Sequence, residues 1–254
     1  MRRREDSKGS RIGWFFDGAA RVLLAIAVLP ASAGASDGRI ELNQVCATAD
    51  GCVPGDDPGF PISLTEGGSY VLTSNLTVPD ENTSGIAIEA NDVTIDFNGF
   101  TLAGPATVPI ATHVCTLPGG GSGVVKPGPA NGSGLTIKNG HIRGMGAYGV
   151  NVVAALARID SMVVERNCAS GLVLGLGAFV TDSQIRANAL NGIEVGTGSR
   201  IMDCVVDNNG VNGVAGGSAI VTGSMVTTNV QTGITLDGMV MGNAVVGNGA
   251  AGIS

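Results

Sequence analysis

From Leu135 to Ile253 the apolar residues recur with a period near twenty. The marker is a Gly followed by an aliphatic residue: Gly149-Val150, Gly171-Leu172, Gly192-Ile193, Gly213-Val214, Gly233-Ile234 and Gly252-Ile253, spaced by 22, 21, 21, 20 and 19. Four residues before these glycines stand Asn167, Asn188, Asn209, Asn229 and Asn248; only the first unit differs, with Met145. Counting each unit from its Asn, position −8 reads Ile137, Ile159, Val180, Ile201, Val221, Val240, and position −3 reads Ile142, Val164, Ile185, Val206, Val226, Val245. Within a unit the apolar residues stand two apart, the period of a strand and not of a helix. Three short β-branched runs per unit, each bounded by Gly, Asn, Asp or Ser, predict three strands and three turns.

One such unit cannot bury its apolar face alone. Stacked units can, each strand pairing in parallel with the next at about 4.8 Å, so the pattern predicts a solenoid. The Asn column is expected at a turn, with left-handed backbone and side-chain amides bonded from coil to coil. The Gly column is expected to supply positive φ at the next bend. Upstream, Ile62, Leu64, Tyr70, Leu72, Leu76 and Val78 alternate as a first coil, and Ile86 through Leu102 as a second.

The stretch from Asn91 to Leu102, Asn-Asp-Val-Thr-Ile-Asp-Phe-Asn-Gly-Phe-Thr-Leu, resembles the opening coils of secreted bacterial β-helix proteins. With the repeat, roughly residues 60–254 resemble the pectin-lyase-like superfamily. That resemblance implies an all-β, right-handed parallel β-helix; the repeat predicts about eight coils, with an uncapped C-terminal end expected after the last Gly-Ile. It says little about activity, because the superfamily holds lyases, hydrolases, epimerases and adhesins. The Asn-Thr-Asp and Gly-His-Gly segments of its hydrolase branch and the Asp-Pro-His-Asp of epimerase-like members do not occur in this chain.

Composition adds compartment and partner. Arg2, Arg3, Arg4, Lys8, Arg11 and Arg21, the apolar run Val22 to Leu29, and small-x-small sites ending at Ala33 and Ala35 read as an export signal over 1–35. The apolar run is too short for a membrane span of about 20 residues, so no transmembrane anchor is expected after cleavage. The expected location is secreted, periplasmic or cell-surface. The formal charge of −7 includes a surplus of three positive charges in 1–35, so the body stands at −10. An acidic body with few aromatics excludes a nucleic-acid groove. Residues 36–59, rich in Asp, Gly and Pro, are expected to cap the first coil, and 105–133 to form a long loop leaving the stack. Cys46 and Cys52 are placed to close a small disulfide. Cys204, in a column with Ser183 and Ser224, reads as a small inward filler; Cys115 and Cys168 are left without a role. The chain ending after its last Gly-Ile suggests self-association through the C-terminal coil.

Candidate chemistry lies on outward columns. Position −2 reads Arg143, Glu165, Arg186, Asp207, alternating in sign as an exposed ion-pair ladder would. Asp160, Asp182 and Asp203 gather near a turn, as turn formers or as carboxylates able to hold Ca²⁺; no Cys/His spacing fits a zinc site. Lys138, His141 and Arg143 form a cationic group able to hold an acidic glycan, and a Lys or Arg there can act as base in uronate β-elimination. Phe179, outward, offers a weak sugar platform. Two functions follow: a structural or glycan-binding β-helix without catalysis, or a polysaccharide lyase on an acidic glycan. A periplasmic assembly factor for copper-site maturation is a third, disfavoured by the lack of a Cys/Met/His cluster.

Overall fold

The computed structural model describes residues 38–126, 134–153 and 156–254; the expected signal, 1–35, lies outside them. The described chain is a parallel β-solenoid of eight coils with three faces. Face one is an eight-stranded sheet running from Ile62–Leu64 to Ile234–Leu236. Face two runs from Gly68–Leu72 to Met239–Met241, and face three from Leu76–Thr77 to Ala244–Val246. Faces two and three, together with Ile40–Leu42, form one hydrogen-bonded sheet of fifteen strands, because Thr136–Arg143 and Arg158–Glu165 each pass through both without a break.

Register is set by the expected columns. Ile137, Ile159, Val180, Ile201 and Val221 stand opposite one another on face two, and Ile142, Val164, Ile185, Val206 and Val226 on face three. All ten are fully buried. A slip of one residue would turn each column to solvent, so burial fixes the pairing. In the eighth coil the corresponding Val240 and Val245 are half-buried.

Residues 38–59 precede the first coil and pack against it. Ile40–Leu42 adds a parallel strand before Gly68–Leu72, and helix Gln44–Ala49 follows, burying Ala47. Asn43 caps that helix by accepting from Cys46 N at 3.0 Å. Asp56, nearly buried, accepts from Cys52 N at 2.9 Å and Ser63 N at 2.8 Å, tying this segment to the first strand. Among the described residues no helix is long and apolar enough to cross a membrane.

The loop expected over 105–133 is divided. Val124–Val125 returns to face one as the third coil's strand. Before it, residues 104–121 form a strap that folds back over the corner between faces three and one. Residues 127–133 lie outside the described residues.

Candidate functional site

Two corners of this prism carry the polar residues that the sequence singles out. The first joins face three to face one and holds the Asn column. Asn167, Asn188, Asn209 and Asn229 are buried. Each donates from Nδ2 to Oδ1 of the next, at 2.9, 3.0, 3.0 and 2.9 Å, the last acceptor being Asn248. The same oxygens accept the preceding Asn backbone N–H at 3.0–3.1 Å. The second amide hydrogens of Asn188, Asn209 and Asn229 reach Val164, Ile185 and Val206 carbonyls at 3.1–3.3 Å. Every polar atom of the buried amides inside the ladder is satisfied, so the column is structural.

Its backbone differs from the expectation. Left-handed φ belongs to the residue before each Asn: Arg166, Ala187, Asn208, Thr228 and Gly247, at 53–69°. The repeat glycines have no such φ. They are small because the ladder leaves no room. A Cβ on Gly192 would stand 2.6 Å from Val206 Cγ1 and 2.7 Å from Asn209 Nδ2, and Gly171 and Gly213 are equally hemmed in.

The second corner is the bend between faces two and three. Asn139, Ser161, Asp182, Asp203, Gly223 and Gly242 occupy it in successive coils, all with φ of 49–64°. Asn and Asp tolerate this region better than other L-residues, which accounts for Asp182 and Asp203. Behind the bend, Ser183, Cys204 and Ser224 point inward. Ser183 and Ser224 accept the backbone N–H of Met162 and Cys204 at 3.1 and 3.2 Å. Cys204 is buried as expected, and burial pushes its thiol up to about 11.

Outside the bend runs a shallow groove of about 410 Å³ over coils four to six, lined by Ser161, Val163, Asp182, Gln184, Asp203 and Val205. Its size suits a small ligand or a few sugar units. Its charged lining is carboxylate; Lys138, His141 and Arg143 do not line it. Those three do not converge. Lys138 lies before the Asn139 bend and pairs with Asp96 at 3.6 Å, while exposed His141 and Arg143 follow on face three. Glu165 pairs with Arg186 at 2.8 Å. Asp160 accepts the Ser161 and Thr181 hydroxyls at 3.1 and 3.2 Å. Phe179 carries the Arg158 guanidinium 4.7 Å over its ring, so one ring face is already covered. Among the described residues no group of three His, Cys, Asp or Glu side chains is placed to hold a metal.

The Cys46–Cys52 disulfide is present. A second, Cys115–Cys168, ties the strap to the fourth coil. Sequence spacing gave no sign of it, because its partners are 53 residues apart and only one belongs to the repeat. Also unforeseen are the His113 ring, whose Nε2 lies 2.7 Å from Asn208 O, and Glu194, which accepts from Ser170 Oγ and Asn191 Nδ2 on face one. No family model, curated protein or solved structure matches this chain in the three comparisons made.

Proposed function

We propose that this chain is an exported β-helix of the pectin-lyase-like kind that binds a neutral glycan along the bend groove without turning it over. The observation that carries this reading is how the outward charges are engaged. Arg186 holds Glu165, Lys138 holds Asp96, Arg158 covers Phe179, and Asp160 takes two hydroxyl bonds. What faces open solvent in the groove is Asp182, Gln184 and Asp203, acceptors and an amide at coil spacing. Carboxylates and amides accept and donate to sugar hydroxyls, and a body at −10 repels polyanions. Two disulfides agree with an oxidising compartment and so with export.

The lyase reading needs cations converging on a uronate, and the Asn139 bend separates Lys138 from His141 and Arg143. The test is binding of the purified chain to a panel of neutral and acidic glycans, with and without calcium, while following absorbance of unsaturated product. Binding of a neutral glycan that is lost in D182N/D203N and kept in K138A/R143A supports the proposal. Unsaturated product from a polyuronate, abolished in K138A/R143A, replaces it with the lyase. No glycan bound at millimolar concentration leaves a structural solenoid.

A further inference from the structure

The strap at 104–121 is attached unevenly. Its base is woven into the coils: Gly104 N and Ala106 N donate to Arg143 O and Gly144 O at 2.9 Å, and Gly119 N and Gly121 N to Gly146 O and Glu81 O at 2.8 and 2.9 Å. Between these, residues 107–118 close on themselves, with Thr116 N donating to Thr107 O at 3.0 Å. Their anchors to the coils among the described residues are buried Val108, the hydrogen bond between His113 Nε2 and Asn208 O, and the Cys115–Cys168 disulfide. Ile110, Val114 and Leu117 point out, 46%, 66% and 43% exposed.

The corner beneath is lined by small residues. In coils three to six its residues are Gly146, Cys168, Ala189 and Gly210, followed in the seventh by exposed Val230. A Cβ on Gly210 would meet Ala189 O of the preceding coil at 2.2 Å and then His113 Cβ at 3.0 Å, so the coil stack and the strap both hem in this position. The coils lean on the base of the strap, where Ala147 N donates to Gly121 O at 2.8 Å, but among the described residues no coil backbone N–H donates to 107–118. Cys168 N donates to Met145 O at 3.0 Å and Ala169 N to Ala147 O at 2.8 Å, and Asn167 is held by Asn188.

We propose that Cys115–Cys168 is a releasable latch: reducing this one bond frees residues 107–118 from the corner and leaves the coils folded. The bond is half-buried and so reachable by a small thiol. The reductant is a dithiol. One of its thiolates attacks a sulfur of the bridge, the second resolves the mixed disulfide, and the reagent leaves as a cyclic disulfide. Two electrons pass to the bridge, and Cys115 and Cys168 each take up a proton. Cys204 lies behind the other bend, buried in its protonated form, so the opened thiols meet no third partner.

The test is amide hydrogen exchange on the full chain as oxidised, after dithiothreitol, and as C115S/C168S. The double variant isolates this bridge, because dithiothreitol also reaches Cys46–Cys52. The latch predicts at least ten-fold faster exchange at Thr112, His113 and Thr116 in both altered forms, with Asn188 and Asn209 amides unchanged. Unchanged strap exchange overturns the proposal, because the strap then holds without its bond. Acceleration that spreads to Asn188 and Asn209 also overturns it, because the bridge is then a staple of the fold.

Discussion

The two polar corners of the solenoid use similar side chains for opposite ends. At the Asn corner the side chains turn inward, lose all water and bond to one another in a continuous line. At the Asp bend they turn outward, and what the fold takes from them is backbone conformation, the side chains remaining available at the groove. The difference follows from which residue takes the left-handed turn. At the Asn corner that task falls on Arg166, Ala187, Asn208 or Thr228, one position earlier, so the Asn is free to point inward. At the bend the turning residue is itself the Asp. Burial then decides tolerance: a satisfied buried amide becomes indispensable once its neighbours depend on it, whereas an exposed turn former is replaceable by anything that accepts the turn.

The sharpest way to break this comparison is at the glycine beside the ladder. In Gly192→Ala the new methyl meets Val206 Cγ1, Asn209 Nδ2 and the Gly213 carbonyl below contact distance, two of them on backbone or ladder atoms that cannot swing away. Overpacking of this kind, together with a displaced ladder amide, should cost about 3 kcal/mol, read from urea unfolding at constant m-value. If the glycines instead served positive φ, Gly192→Asn would be well tolerated; it should lose more than Gly192→Ala.

Next in size is the ladder itself. Asn209→Ala removes the acceptor for Asn188 Nδ2 and for Asn188 N, and takes from Asn229 Oδ1 its side-chain donor, leaving it only the backbone N–H of residue 209. Stranding these buried groups should cost about 2 kcal/mol. Asn82→Ala, whose side chain accepts from Gly120 N at 3.2 Å in the open, should cost about 0.5 kcal/mol or less. Equal losses in the two variants would mean that the coil-to-coil amide line adds nothing beyond an ordinary surface hydrogen bond.

The fold was legible because one short unit is written repeatedly. A column such as Ile159, Val180, Ile201 and Val221 needs only period two and a constant spacing to be seen, and stacking converts it directly into register. The role of Gly192 was not legible, because a conserved spacing of glycines looks the same whether φ or a neighbouring amide requires it. The bend was half legible: Asp182 and Asp203 read as turn formers, but the column also runs through Asn139, Ser161 and Gly223, which share a conformation and no chemistry. The cations Lys138, His141 and Arg143 looked adjacent in sequence, yet Asn139 places a corner between them. The loop over 105–133 was legible as a departure from the stack, but its attachment to the corner was not, since a contact such as Cys115 with Cys168 joins a non-repeating segment to the repeat, and no period announces it.

The smallest effect belongs to the Asp bend, and its sign carries the argument. Asp182 has φ of 49°, a region that costs an ordinary L-residue roughly 1–2 kcal/mol and an Asp less. Gly223 and Gly242 hold the same position two and three coils on, so the bend accepts a residue with no side chain at all. Asp182→Gly should therefore change stability by no more than about 0.5 kcal/mol, relief of the turn being offset by greater freedom of the unfolded chain. Asp182→Val, β-branched and unable to take this φ without strain, should lose about 1–2 kcal/mol. Both variants remove the carboxylate from the groove, so both should weaken glycan binding alike while their melting temperatures part. Asp182→Gly as damaging as Asp182→Val would show that the carboxylate itself supports the coil, and the two corners would then differ only in exposure.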